Sequence, residues 1–226
     1  MIDPGEYDAW YRTPFGSLCH RLERDALFSL AAFEPGERVL DAGCGTGIYL
    51  KELKGAGVTP VGLDADAAML FAAKAKGLDV PLVRASLEAV PFRDGAFDRI
   101  LCVCSLEFVV NAALVFKELS RTLSGDGVLL LGFLNSRSPW AEVRLEKARD
   151  PGSPWHGVRF FSLAEIGSLG AGAGLRLAAF RTAVHFPPEA KWLDIKGLEA
   201  AEAVGGNSSS GAAFIAARFL REDGHK

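Results

Sequence analysis

The stretch Val39-Leu40-Asp41-Ala42-Gly43-Cys44-Gly45-Thr46-Gly47 constrains this chain more than any other. An apolar pair reads as the end of a buried strand. An acid follows, then glycines at alternate positions, then a helix-like run from Ile48 to Leu53. Such glycines let backbone approach a ligand closely and adopt angles that a side chain forbids. The spacing is G-x-G-x-G, with Ile48 where the dinucleotide fingerprint G-x-G-x-x-G has its last glycine. Asp41, set just before the loop, would repel a pyrophosphate and could orient an ammonium group. No Gly-Lys-Ser/Thr follows, so the phosphate-cradling P-loop pattern is absent as well. The pattern favours a ligand with a cationic amino-acid end.

A second acid closes the pattern. Val61-Gly62-Leu63-Asp64 reads as a short strand ending in a carboxylate that can accept hydrogen bonds from both hydroxyls of a ribose. Ala65 to Leu70 continues as a helix, with Met69 able to lie against an adenine face. Strands are expected at 38–41, 59–63, 80–84, 98–104, 127–133, 175–183 and 212–219. Helices are expected near 18–32, 46–54, 66–76, 111–123, 138–149, 162–171 and 189–203. Residues 1–20 read as an aromatic stretch punctuated by Pro and Gly. Ser162-Leu163-Ala164-Glu165 is a capping box. This alternation implies an α/β fold with a mostly parallel sheet and helices on both faces.

The 226 residues, 49% hydrophobic and 23% charged, suffice for one sizeable domain over 1–226, with 1–35 as an N-terminal cap region. A net charge of −3 without a basic stripe argues against a nucleic-acid partner. No apolar run is long enough to span a bilayer and no signal-peptide pattern opens the chain, so a cytoplasmic protein with no membrane partner is expected. The four cysteines do not form a disulfide framework, and no metal set is evident. Cys102 and Cys104, two apart in a strand, are expected on one face. Residues 134–161, irregular and carrying Ser138-Pro139-Trp140 and Ser153-Pro154-Trp155, are the expected substrate lid.

The two acid-and-glycine signatures, together with Ala85 to Phe92, Phe97-Asp98-Arg99-Ile100 and Leu119 to Leu123 followed by Gly125-Asp126-Gly127, resemble the class I S-adenosylmethionine (SAM)-dependent methyltransferases. The likeness runs from about Tyr7 to Phe133 and is nearest the small-molecule group resembling ubiquinone/menaquinone-biosynthesis methyltransferases. It implies a Rossmann-like seven-stranded sheet whose last strand runs antiparallel between the fifth and sixth. It also implies SAM as methyl donor, with S-adenosylhomocysteine as product, and a small-molecule acceptor methylated by in-line displacement.

Under that resemblance, Asp41 and the Gly43, Cys44, Gly45 and Gly47 backbone would hold the methionine end, with Tyr7 and Tyr11 closing over it. Asp64 would take the ribose. Ala65, Met69 and Leu87 would flank the adenine, with Ser86, an Asp in many relatives, near its exocyclic amine. Cys102 would line the same crevice. Phe108, Trp140, Trp155, Phe160 and Phe161 are available as aromatic walls for the sulfonium. Amine and alcohol acceptors need proton removal, and the candidate bases are Glu107, His156 and His185. In many relatives a histidine stands at position 107. The alternatives are a non-catalytic SAM-binding regulator, a protein or tRNA methyltransferase and, against the spacing of the loop, an NAD-dependent oxidoreductase.

Overall fold

The computed structural model describes residues 3–206 and 208–222. Two helices come first, α1 (Pro4–Arg12) and α2 (Pro14–Phe28). The alternating part follows as β1 (Arg38–Ala42), α3 (Ile48–Gly55), β2 (Thr59–Asp64), α4 (Ala67–Ala75), β3 (Leu82–Arg84), β4 (Phe97–Val103), α5 (Ala112–Thr122) and β5 (Leu123–Leu134). The C-terminal part holds α6 (Pro139–Lys147), α7 (Leu163–Ala171), β6 (Leu175–Ala183), α8 (Ile195–Gly205) and β7 (Phe214–Arg221). The seven strands form one sheet in the order β3-β2-β1-β4-β5-β7-β6. β7 pairs antiparallel with both β5 and β6, and the other pairings are parallel. The expected Rossmann-like sheet with an antiparallel last strand is therefore what forms.

Side-chain alternation splits the core into two layers. Leu40, Ala42, Ile100, Cys102, Leu129, Leu131 and Phe133 meet α5 and α7 on one face. Val39, Leu101, Val103, Val128 and Leu130 meet α2, α3 and α8 on the other. Both faces are covered, which is why these strands read as nearly continuous apolar runs. The order in which strands are added reverses between β1 and β4, so the crevice at their carboxyl ends is the natural ligand position.

The N-terminal region departs from the expected outline. A helix was expected from about residue 18. Instead α1 and α2 occupy residues 4–28, each opened by a capping side chain and a proline at the first position. Asp3 accepts from the Glu6 N–H, and Thr13 accepts from the Gly16 N–H at 3.0 Å. The other boundaries shift by a few residues. The expected helix at 189–203 divides into a 3-10 turn at Pro188–Trp192 and α8. The Ser162–Glu165 capping box is formed.

Cys104 breaks the expected alternation. β4 ends at Val103, and Cys104 has φ +48°, so the chain turns there. Cys102 points into the α5/α7 layer, while Cys104 packs at the edge of the opposite layer. The two thiols therefore do not share a face.

Gly16 sets how closely α1 seats on α2. A Cβ there would lie 2.1 Å from the Trp10 carbonyl oxygen, a backbone atom. Gly16→Ala is expected to destabilise the protein by about 1–3 kcal/mol through overpacking. Urea unfolding checks this, and an unchanged midpoint would mean that the α1–α2 junction is not seated as described.

Candidate functional site

The crevice is built from the β1 end outwards. Asp41 lies between β2 and β4 partners, paired in register with Gly62 and Leu101. It is 2% exposed, and its Oδ2 has no hydrogen-bond partner. Burial, and secondarily the charge of Asp64, push its carboxyl up to about 8. A buried carboxyl without a partner at the mouth of a loop is matched to a cationic ligand group.

The loop after Asp41 has left-handed backbone at Gly43 and Gly45 (φ +81° and +51°). The reasons for glycine differ between the two. A Cβ on Gly43 would strike Ser105 Oγ at 2.2 Å, and that hydroxyl donates to the Gly43 carbonyl. A Cβ on Gly45 would meet nothing within 4 Å, so it would project into open space above the loop. Cys44 is buried, and its backbone N–H donates to Leu63 O at 2.9 Å. Gly47 precedes α3. The loop is thus tied to the strand that carries the second acid.

Asp64 completes that tie. Its Oδ2 accepts the Gly45 N–H at 2.8 Å and its Oδ1 accepts the Asp66 N–H at 2.8 Å. A carboxylate has about four acceptor sites, so two remain for a ligand. Ala65 is exposed, Met69 half-buried and Leu87 buried beside them. Ser86 is exposed, and its Oγ accepts the Glu88 N–H at 3.1 Å, which fixes the turn below Leu87.

α1 closes over this region. Tyr7 and Tyr11 stack edge-on at 5.0 Å, with their hydroxyls 3.0 Å apart. Burial raises both phenols. The anchor is Asp8, which sequence reasoning missed. It accepts from Thr46 Oγ1 at 2.6 Å and pairs with Lys76 at 2.9 Å, while Lys76 also donates to the Thr46 carbonyl. Asp8 thereby pins α1 to the glycine loop.

The three expected bases land in different settings. Glu107, in the 3-10 turn after β4, is 1% exposed. Its Oε1 accepts the Leu134 N–H at 2.6 Å, its Oε2 has no partner, and burial pushes it up to about 7. His156 is exposed on the surface of the 134–161 insertion, with Nδ1 3.1 Å from Ala148 O. His185 has both ring nitrogens engaged, by Glu202 at 2.9 Å and Thr182 at 3.0 Å. It ties β6 to α8 and offers no free nitrogen, which corrects the expectation of a base there. Cys102 is corrected likewise: it is 0% exposed in the α5/α7 layer, so the β4 end reaches the crevice through Cys104 and Ser105.

The insertion folds against the crevice. Trp140 donates to Phe186 O at 2.8 Å and packs on Phe15. Trp155 packs on Phe160. Phe161 bridges to Asn135 and is 1% exposed in the core, so it is not a free aromatic wall. Phe108 is half-exposed. Two further charged groups enter here that sequence reasoning passed over. Glu23 on α2 is half-buried without a hydrogen-bond partner among the described residues, and burial pushes it up to about 8. The guanidinium of Arg144 on α6 lies over both Trp140 and Trp155, at 5.4 and 5.0 Å. Glu23 did leave a signal. It sits four residues after Cys19 and four before Leu27, both buried, so it is an acid on the apolar stripe of α2.

Comparison with known proteins agrees with this geometry. A family model described as a methyltransferase domain matches residues 40–131. The chain is 35% identical to an uncharacterized Mycobacterium tuberculosis protein over 95% of this chain and 70% of that one. It is 33% identical to the demethylmenaquinone methyltransferase of Beutenbergia cavernae over 54% of this chain and 50% of that one. The solved structure of a SAM-dependent methyltransferase from Thermotoga maritima superposes with a TM-score of 0.73 at 24% identity, covering 96% and 95% of the two chains. The orphaned Asp41 oxygen and the open space above Gly45 fit a ligand with an ammonium end, such as SAM carries. The chain belongs to the class I SAM-dependent methyltransferases.

Proposed function

We propose that this methyltransferase acts on a small molecule held between α1, α2 and the 134–161 insertion, at the carboxyl ends of β1 and β4. The observation that carries this reading is the crevice itself: α1 is pinned over the glycine loop by Asp8, and the insertion is packed over the other side through Trp140. That enclosure favours an acceptor small enough to enter it over a folded protein or RNA. The net charge of −3 supports the same choice, since a nucleic-acid substrate calls for a basic surface. No helix among the described residues is long and apolar enough to cross a membrane, and a cytoplasmic setting suits this reading.

When bound, SAM supplies an electrophilic methyl group on a sulfonium sulfur. The chain's own groups position it. Asp41 takes the ammonium of the methionine end, where its unpaired Oδ2 lies. The Gly43–Gly47 backbone passes beneath that end, and Tyr7 and Tyr11 close over it. Asp64 takes the ribose hydroxyls with the acceptor sites left by Gly45 and Asp66. Leu87, Met69 and Ala65 flank the adenine, with Ser86 at its edge. Holding donor and acceptor in line removes roughly 7–11 kcal/mol of the barrier. The insertion acts as the lid that excludes water.

Three outcomes test the assignment. Asp64→Ala should weaken S-adenosylhomocysteine binding by about 2–3 kcal/mol, read by calorimetric titration. Unchanged affinity would move the ribose elsewhere. Gly45→Ala should cost about 1–2 kcal/mol in stability, for a left-handed non-glycine residue, yet lower the affinity at least about tenfold because its methyl projects into the ligand space. Normal binding by that variant would remove the loop from the site. The third outcome concerns pH. Asp41, Glu23 and Glu107 have native values raised above their ordinary ones, so the native state binds more protons than the unfolded chain. Their stabilising contribution is present below about pH 4 and is lost as pH rises through 7–8. The ligand-free melting temperature should therefore fall between pH 5 and 9, and Asp41→Asn should flatten that fall.

A further inference from the structure

On the acceptor side of the crevice, three charged groups converge with bonding capacity to spare. Glu107 is 1% exposed, and its Oε2 has no partner. Arg144 makes no ion pair among the described residues, and its buried Nη1 has no partner either. Its guanidinium is nevertheless held in place over the Trp140 and Trp155 rings. Glu23 feels both: burial raises its carboxyl most, the charge of Arg144 pulls it down and that of Glu107 pushes it up. The three come from α2, from the turn after β4 and from the lid helix α6, so they converge from separate elements.

A cation whose charge is felt by two carboxyls would ordinarily close a salt bridge with one of them, and among the described residues Arg144 closes none. Charged atoms left unpartnered in this way are what a site shows when the missing partners belong to a ligand. The vacant positions call for an anionic oxygen opposite Arg144 and a protonated nitrogen opposite the two carboxyls.

We propose that the acceptor is a small zwitterionic amine: its carboxylate pairs with Arg144, and its amino nitrogen, the atom that is methylated, is held and deprotonated between Glu107 and Glu23. The inference rests on the small-molecule reading above and narrows it to one substrate class. An ammonium group has no lone pair, so one proton passes to Glu107 Oε2 before attack. The freed lone pair then forms the N–CH3 bond as the C–S bond breaks, and the pair from that bond stays on sulfur as a neutral thioether. The product amine leaves as its ammonium form, and the proton on Glu107 passes to solvent. Burial, which pushes Glu107 and Glu23 up to about 7 and about 8, lets them accept that proton near neutral pH. The groups that also face them are Cys102, Cys104 and the Tyr7, Tyr11 and Tyr49 phenols, all raised by burial and silent in this range.

The experiment is methyl transfer from radiolabelled SAM by the full chain. The probes are β-alanine, 4-aminobutyrate, phenylalanine and 4-(aminomethyl)benzoate, each beside its carboxamide. S-adenosylhomocysteine affinity is measured in parallel by calorimetry. At least one amino acid should be methylated with kcat/KM at least tenfold above its carboxamide. Arg144→Gln should bring that ratio near one through KM. Glu107→Gln should lower kcat at least tenfold and remove the rise in rate between pH 6 and 8, and Glu23→Gln should raise KM. All three variants should bind S-adenosylhomocysteine within twofold of wild type. Equal turnover of carboxamides, or a panel left unmethylated by a protein that binds S-adenosylhomocysteine, would overturn the zwitterion assignment. A tenfold loss of S-adenosylhomocysteine affinity in Arg144→Gln would assign the trio to the donor and overturn it as well. Failure of the wild type to bind S-adenosylhomocysteine would instead bring down the site map on which the proposal rests.

Discussion

The site depends on a carboxyl that the sheet keeps out of water. Asp41 is clamped between β2 and β4, with one oxygen unsatisfied and its acid form favoured by burial. Folding alone gains nothing from such a group, because an unsatisfied buried acceptor costs about 1–3 kcal/mol. It persists because the strands around it are fixed by two full apolar layers, which over-determine where β1 ends. The left-handed glycine loop that follows is held by hydrogen bonds instead. Ser105 locks Gly43 from the β4 side, and Asp64 locks Gly45 from the β2 side. A cationic donor bound there would relieve the carboxyl, so part of its binding energy would be stored in the ligand-free fold.

The closing elements follow the same logic at lower stability. α1 has no fully buried residue, and its firmest ties are polar, chiefly Asp8 to Thr46 and Lys76. A helix held that way can open and reseat, which an enclosed crevice requires for entry and exit. The insertion over the other side is packed more firmly, through Trp140 and the Asn135–Phe161 bridge.

Much of this was legible in the residues because local chemistry and global position agree there. The strand–acid–glycine pattern at 39–47, the second acid at Asp64 and the Ser162 capping box each carry their own geometry. Legibility failed where tertiary placement decided the outcome. Thr13-Pro14 is as good a helix opening as Ser162, but it was hidden among aromatic residues that read as irregular. Strand alternation placed Cys102 with Cys104, and one left-handed residue at the strand end undid it. His185 looked like a base by position, yet Glu202, seventeen residues later, takes one of its nitrogens. Arg144 carried no signal at all, since a helix rich in charges does not say which of them turns inward. Glu23 did carry one, an acid on an apolar stripe.

The most direct test of the central claim is to count protons when the donor half fills. Titration of the ligand-free protein with S-adenosylhomocysteine at pH 7, in buffers of different ionisation enthalpy, gives that count. An Asp41 carboxyl held at about 8 and ionised by the incoming ammonium predicts release of nearly one proton on binding, abolished in Asp41→Asn. Binding with no proton released, or release unchanged in that variant, would contradict the account of a buried acid waiting for a cation.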